Sequence, residues 1–205
     1  MIKTLETIQL LNAYANGYFP MPEPKTEEIQ WYFPEPRAII PLSEFHCSKS
    51  LTKKIKKELF SYTTDQNFVG VIRNCAARKE TWINEEFIRA YSELHKLGFA
   101  HSLEVWNGKK WVGGVYGVSI GAAFFAESKF HVETDASKIA LYHLVQELKR
   151  RGFNLLEVQF LTPHLERLGA IAISSKKYLS LLERSVKEPQ KWGNFSLPFE
   201  STAKK

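Results

Sequence analysis

An α+β fold is predicted for this chain: a mixed, largely antiparallel sheet with helices packed on it. Three observations predict it. From Val112 to Ala126 run 15 residues without a charge, among them Gly113, Gly114, Gly117 and Gly121. The run is short of the roughly 20 apolar residues that cross a bilayer, its glycines disfavour a helix, and its valines and aromatics suit buried strands. Asn107-Gly108 sits between two apolar runs, Ala100–Trp106 and Trp111–Val118, and is a hairpin signal that pairs them antiparallel. After residue 134, helix-period and strand-period segments alternate.

In chain order, residues 4–16 carry Leu5, Ile8, Leu10, Leu11 and Ala15 on one side, with Gly17 as a stop, and predict a helix. Pro20, Pro22 and Pro24 then force extended backbone, and the aromatic and proline-rich passage Trp31–Arg37 repeats that character. It serves equally as a rigid joint or as a wall for a planar ligand. Ala38–Leu42 reads as a short strand. Residues 48–60 predict a helix with Leu51, Ile55 and Leu59 on one face and Ser48 or Ser50 as cap. Helices are predicted at Phe68–Ala77 and after Asn84, whose side chain caps a first turn holding Glu85 and Glu86; Gly98 ends the second. The central region gives two strands, Trp111–Val118 and Ala122–Ala126, pinched apart by glycine. A helix over Asp135–Arg151, a strand over Asn154–Leu161, a turn at His164–Leu168, a strand over Ala170–Ile173 and a helix over Lys176–Val186 complete the chain.

The 205 residues are 44% apolar and 13% aromatic, which is globular composition. A net charge of +6 favours a polyanionic partner. Cys47 and Cys75 have no ligand-like spacing, so neither a disulfide framework nor a zinc site is expected, and a reducing cytoplasm suits them. Neither a secretory leader nor a membrane span is expected. The chain has no GxxxxGK[ST] loop, no GxGxxG fingerprint, no HExxH, no paired CxxC and no GxSxG elbow. Its six histidines are scattered, and no metal or cofactor is expected.

The polar groups at strand ends remain. Glu127 closes the central run. Strand alternation puts Glu157 and Gln159 on one side of their strand, two residues apart. Acids facing water at a sheet edge explain them as well as a site does. Lys49, Lys53, Lys54, Lys56 and Lys57 cover one surface of the helix at 48–60, which is either a solvated face or one that contacts phosphates.

Several stretches, taken together, resemble the leucyl/phenylalanyl-tRNA–protein transferase family. They are Gly17-Tyr18-Phe19-Pro20, Pro34-Glu35-Pro36-Arg37-Ala38, Phe45-His46 with Ser48-Lys49-Ser50, Thr81-Trp82-Ile83, and His101-Ser102-Leu103-Glu104-Val105-Trp106. Further along they are Val112-Gly113-Gly114-Val115-Tyr116-Gly117, Glu127-Ser128, Ala136-Ser137-Lys138, and His164-Leu165 with Leu168-Gly169-Ala170. The order holds from about residue 12 to 179. The Pro-Asn-Gly and Gly-Gly-Asp motifs of the family's N-terminal extension have no counterpart.

The resemblance implies a GNAT-like acyltransferase domain over 36–205, preceded by a small N-terminal α/β domain over 1–35, shorter than the family's. It implies a cytoplasmic, monomeric enzyme without cofactor. That enzyme moves leucine or phenylalanine from aminoacyl-tRNA to proteins with N-terminal Lys or Arg, marking them for N-end rule degradation. By the same resemblance, Gln159 is the catalytic glutamine, held by the Glu157 carboxylate, and Glu127 holds the acceptor. Trp82 stacks on the terminal adenosine, Met21 lies near it, and Lys49, Lys53, Lys56 and Lys57 meet the tRNA. Val115 and Phe124 form the amino-acid pocket, with Ser102, Ala123, Phe125 and His164 bordering it. Three positions depart from the family: Lys129 stands where Met is usual beside that pocket, Glu157 where Asp is usual, and Met21 where some members have Trp. Lys129 leaves an alternative open, a related transferase acting on acidic N-termini. A CoA-dependent N-acetyltransferase is disfavoured because the [QR]-x-x-G-x-[GA] loop is missing.

Overall fold

The computed structural model describes residues 4–23, 26, 28–78 and 81–192. Near the N-terminus a helix, α1 (Thr7–Ala15), leads into an antiparallel pair, β1 (Phe19–Pro22) and β2 (Ile29–Tyr32). The prolines of β1 are tolerated because this sheet has only two strands.

The main sheet has seven strands in the order β4-β5-β6-β7-β8-β3-β9. They are β3 (Arg37–Ile39), β4 (Ser61–Thr64), β5 (Ala100–Asn107), β6 (Lys110–Ile120), β7 (Ala123–His131), β8 (Leu155–Glu157) and β9 (Ile171–Ile173). Every neighbouring pair is antiparallel except β7 with β8, which is parallel. The sheet is therefore mixed and largely antiparallel, as the hairpin signal and the later alternation predict.

Helices cover both faces. On one face α3 (Phe68–Ala76), α4 (Glu85–Lys96), α1 and α7 (Ser175–Val186) bury Val71, Tyr91, Tyr14 and Tyr178 against Tyr116 and Phe125 of the sheet. Leu10 and Phe19 belong to this same cluster, so the N-terminal elements share a core with the main sheet. On the other face α5 (Ala136–Arg151) and α2 (Lys49–Lys56) bury Ile139, Leu144, Leu148 and Leu51 against Leu103, Val115 and Phe124. Asn84 caps α4 by accepting from the N–H groups of Glu86 and Phe87, and Ser48 caps α2 through Leu51. Among the described residues no helix is long and apolar enough to cross a membrane.

Several boundaries differ from the sequence reading. The 48–60 helix stops at Lys56, because Glu58 takes a left-handed φ of 51°, and Leu59 is left 52% exposed. In α1, Ile8 faces solvent, and Leu10 and Tyr14 are the buried residues. The glycines do not part β6 from within; it runs unbroken to Ile120, and the break is a turn at Gly121, φ +58°, where a side chain would collide with the Ser185 carbonyl. The strand expected over Asn154–Leu161 ends at Glu157, and the turn expected at His164 is a short helix, α6 (Pro163–Glu166). The edge strand β4 was not legible, because Ser-Tyr-Thr-Thr has no apolar alternation.

Candidate active site

The site is set by where β7 and β8 separate. They pair at Ala123–Leu155, Phe124–Leu156 and Phe125–Glu157, and then part. On β7, Tyr116 pairs with Ser128 and Gly117 with Ala126, so Glu127 is the extra residue of a β-bulge. Gly117 permits this: a Cβ there would lie 2.2 Å from the Phe125 carbonyl. On the other side Gln159 adopts a left-handed φ of 58°, which turns the chain out of the strand.

That turn has an anchor. Glu157 Oε1 accepts both the Gln159 backbone N–H at 2.6 Å and Arg37 Nε–H at 2.9 Å. Arg37 is 1% exposed and Glu157 0%. The guanidinium lies 4.5 Å from the Tyr178 ring and 5.0 Å from the Phe19 ring. Burial pushes the Glu157 carboxyl above its usual range, while Arg37 pulls it down. So buried a carboxylate cannot reach a substrate. Glu157 positions the backbone of Gln159, not its side chain as the resemblance implied.

The Gln159 side chain is held by Glu127, whose Oε1 accepts Gln159 Nε2–H at 3.1 Å. Tyr14 and Tyr91 also donate to the Glu127 carboxylate, at 2.7 and 3.1 Å. Burial pushes the Glu127 pKa from 4.5 to about 8, against the pull of these hydroxyls. With Nε2 committed to Glu127, the amide oxygen of Gln159 is the end left for an incoming donor.

Two clefts meet at this pair. One, of about 140 Å³, is lined by Phe19, Pro20, Met21, Trp82 and Phe160, with Glu127 and Gln159 at its base. The other, of about 90 Å³, is lined by Val115, Ala126, Lys129, Leu141, Val158 and Leu165, again with Glu127 and Gln159. The first offers ring faces and the second an apolar pocket with one cation at its wall.

The structure thus brings Gln159, Glu127, Trp82, Met21, Val115 and Lys129 together. It does not bring Phe124 or Ser102 to the pocket. Phe124 is 1% exposed, packed by Phe153 and Trp192. Ser102 is buried on β5 and donates to Glu104 at 2.7 Å. Ala123 and Phe125 are likewise core, and His164 borders a different cavity. Lys49, Lys53, Lys56 and Lys57 line neither cleft; they are exposed and, among the described residues, form no ion pair, unlike Lys54, which meets Asp135. Sequence reasoning assigned no role to Arg37, Tyr14, Tyr91 or Phe160. Nothing local in Pro-Arg-Ala marks a buried arginine, and both tyrosines lie within predicted helices with no local mark of a role at the site.

Asp65, His95 and His101 form a cluster whose ligand-type atoms lie within 4.8 Å of one another. Its groups are committed within the protein. His101 reaches Asp65 at 2.9 Å and the Gly98 carbonyl at 3.1 Å, His95 reaches the Ala100 carbonyl, and Asp65 also accepts from Ser102 N–H and Trp192 Nε1–H. It reads as a polar clasp on Trp192.

Two family models match the chain: Leucyl/phenylalanyl-tRNA protein transferase over residues 39–183, and Leucyl/phenylalanyl-tRNA protein transferase N-terminal domain over residues 4–35. A leucyl/phenylalanyl-tRNA--protein transferase of Ruegeria sp. (strain TM1040) is 48% identical over 95% of this chain and 92% of its own length. Another, of Cereibacter sphaeroides (strain ATCC 17029 / ATH 2.4.9), is 51% identical over 82% of this chain and 79% of its own. Among solved structures, L-PGS from Bacillus licheniformis is similar at a TM-score of 0.48 and 11% identity, covering 88% of this chain and 70% of that one, a likeness too slight to carry function.

Proposed function

The chain belongs to the leucyl/phenylalanyl-tRNA protein transferase family, and on that premise we propose that it transfers leucine or phenylalanine from aminoacyl-tRNA to the α-amine of proteins beginning with Lys or Arg. The product's new N-terminus would mark it for N-end rule degradation in the cytoplasm, and the enzyme acts as a monomer. One observation carries the reading: the Gln159 amide, fixed at both backbone and side chain, stands where an apolar cleft meets an aromatic one. The apolar cleft suits the side chain of leucine or phenylalanine. Trp82 suits the terminal adenine, a stack worth about 1–3 kcal/mol. The ester joining amino acid to ribose then lies beside Gln159, and the exposed lysines of α2 supply contacts to phosphates farther along the tRNA.

The reaction forms one N–C bond and breaks one C–O bond; the ribose hydroxyl leaves. The acceptor amine must be neutral to attack, and an α-amine has a pKa of about 7.7–8.0. Glu127, held at about 8, is matched to it, so the ammonium can lose its proton to Glu127 at little cost. The Gln159 oxygen accepts a remaining N–H and aims the lone pair at the ester carbon. The proton on Glu127 passes to the departing ribose oxygen, and the carboxylate so regenerated takes the second amine proton, which the new amide nitrogen sheds, and returns it to solvent.

The test is transfer of labelled leucine from Leu-tRNA to two peptides that differ only in the first residue, Arg or Asp. Transfer to the Arg peptide is expected. Transfer to the Asp peptide alone would replace the acceptor assignment with acidic N-termini, a reading that Lys129 at the wall of the apolar cleft favours. Transfer to neither would overturn the enzymatic reading.

A further inference from the structure

Beyond Phe125, β7 continues to His131, but among the described residues no strand pairs with its β8 side. A cavity of about 490 Å³ opens along that bare stretch. Its walls carry Arg78 from the end of α3, Lys129 and His131 from β7, and His164 from α6. Among the described residues no acid lines it, and neither Arg78 nor Lys129 has a carboxylate partner. Arg78 donates instead to Ser128 Oγ and the Cys75 carbonyl. The mutual repulsion is felt: burial first, then Arg78, holds the Lys129 ammonium below its usual pKa, and burial first, then Lys129, lowers His164. Lys129 lines both this cavity and the apolar cleft, so the two adjoin at that residue.

We propose that the acceptor protein's N-terminal segment binds as an added strand on the free edge of β7, with acidic side chains at its second to fourth positions in the Arg78–Lys129–His131 cleft. This rests on the aminoacyl-transfer reading. An amine placed at Gln159 leaves the following residues beside β7, each advancing about 3.3 Å towards His131. A strand edge offers alternating N–H and C=O groups, which a peptide backbone satisfies on both counts and a phosphate chain, having only acceptors, does not. The basic walls then select for carboxylates just after the first residue. Donor selection by the apolar cleft and acceptor selection by the basic cleft are thereby separated along one strand, with Lys129 at the border.

The experiment measures KM and kcat for leucine transfer to three peptides beginning with Arg and carrying Glu, Ser or Lys at positions 2–4, at low salt, with the unmodified enzyme and with Lys129→Met. The expected result is a KM lower by roughly fivefold for the Glu peptide than for the Lys peptide, with kcat little changed, and a loss of most of that ratio in Lys129→Met. Peptides N-methylated singly at residues 2, 3 and 4 should show period-two sensitivity, because only alternate N–H groups face the edge. Equal KM values, a ratio that survives Lys129→Met, or uniform N-methyl effects would overturn the proposal. So would a Lys129→Met enzyme changed only in its KM for Leu-tRNA, which would give the cleft to RNA phosphates. If no peptide is a substrate, the transfer reading fails. Fluorescence anisotropy of the same labelled peptides then decides the binding proposal on its own, with tighter binding of the Glu peptide expected and equal binding overturning it.

Discussion

Along the β7–β8 seam, Phe124 and Phe125 lie in a zipped half, where each backbone pairs in register and each side chain is buried, whereas Ala126 to Lys129 lie in a parted half with half-buried side chains. The segments are continuous, and the sequence turns from Phe124-Phe125 to Ala126-Glu127-Ser128-Lys129 across the boundary. The backbone differs as well: one extra residue at Glu127 and one left-handed residue at Gln159. Side chains in the zipped half therefore stabilise the fold, and those in the parted half line the apolar cleft. The resemblance had assigned Phe124 and Val115 alike to the amino-acid pocket; the seam separates them.

Substitutions can break this division or sharpen it. The largest effect is expected from Glu157→Ala, which leaves Arg37 buried without its partner: about 3–5 kcal/mol of stability, with transfer lost as well because the Gln159 turn loses its anchor. Urea unfolding and single-turnover assays read the two losses. Phe124→Ala should cost a similar 3–5 kcal/mol through its cavity, yet leave the ratio of leucine to phenylalanine transfer unchanged. A changed ratio would return Phe124 to the pocket. Gln159→Ala should reverse the pattern, with an unaltered unfolding midpoint and turnover down roughly a hundredfold; full turnover would remove Gln159 from the mechanism.

The last effect is one of pH. The folded-state pKa of Glu127 is raised, to about 8 from 4.5, so the folded protein binds this proton more tightly than the unfolded chain. Its stabilising contribution is complete below the unfolded value and is lost as pH rises through the folded one. Unfolding free energy of the unmodified protein should therefore fall between about pH 5 and 8.5, and that slope should flatten in Glu127→Gln. An identical slope would mean that the carboxyl is not desolvated in the parted half.

The sequence by itself determined the α+β class, the hairpin at Asn107-Gly108, the Asn84 cap, and the helices of both layers. Those features are fixed by neighbours a few residues apart, through periodicity, capping and turn chemistry. Resemblance to a family marked Glu127, Gln159, Trp82 and Val115, which the structure gathers at one junction. Only the tertiary structure decided that β7 and β8 part after Phe125, that Glu157 turns inward to Arg37, and that Tyr14 and Tyr91 close on Glu127. The Arg37–Glu157 contact joins residues 120 apart and the Tyr14–Glu127 contact residues 113 apart. No local pattern encodes such pairings, because a buried ion pair or a clasped carboxyl gains its energy only once distant segments have excluded water together.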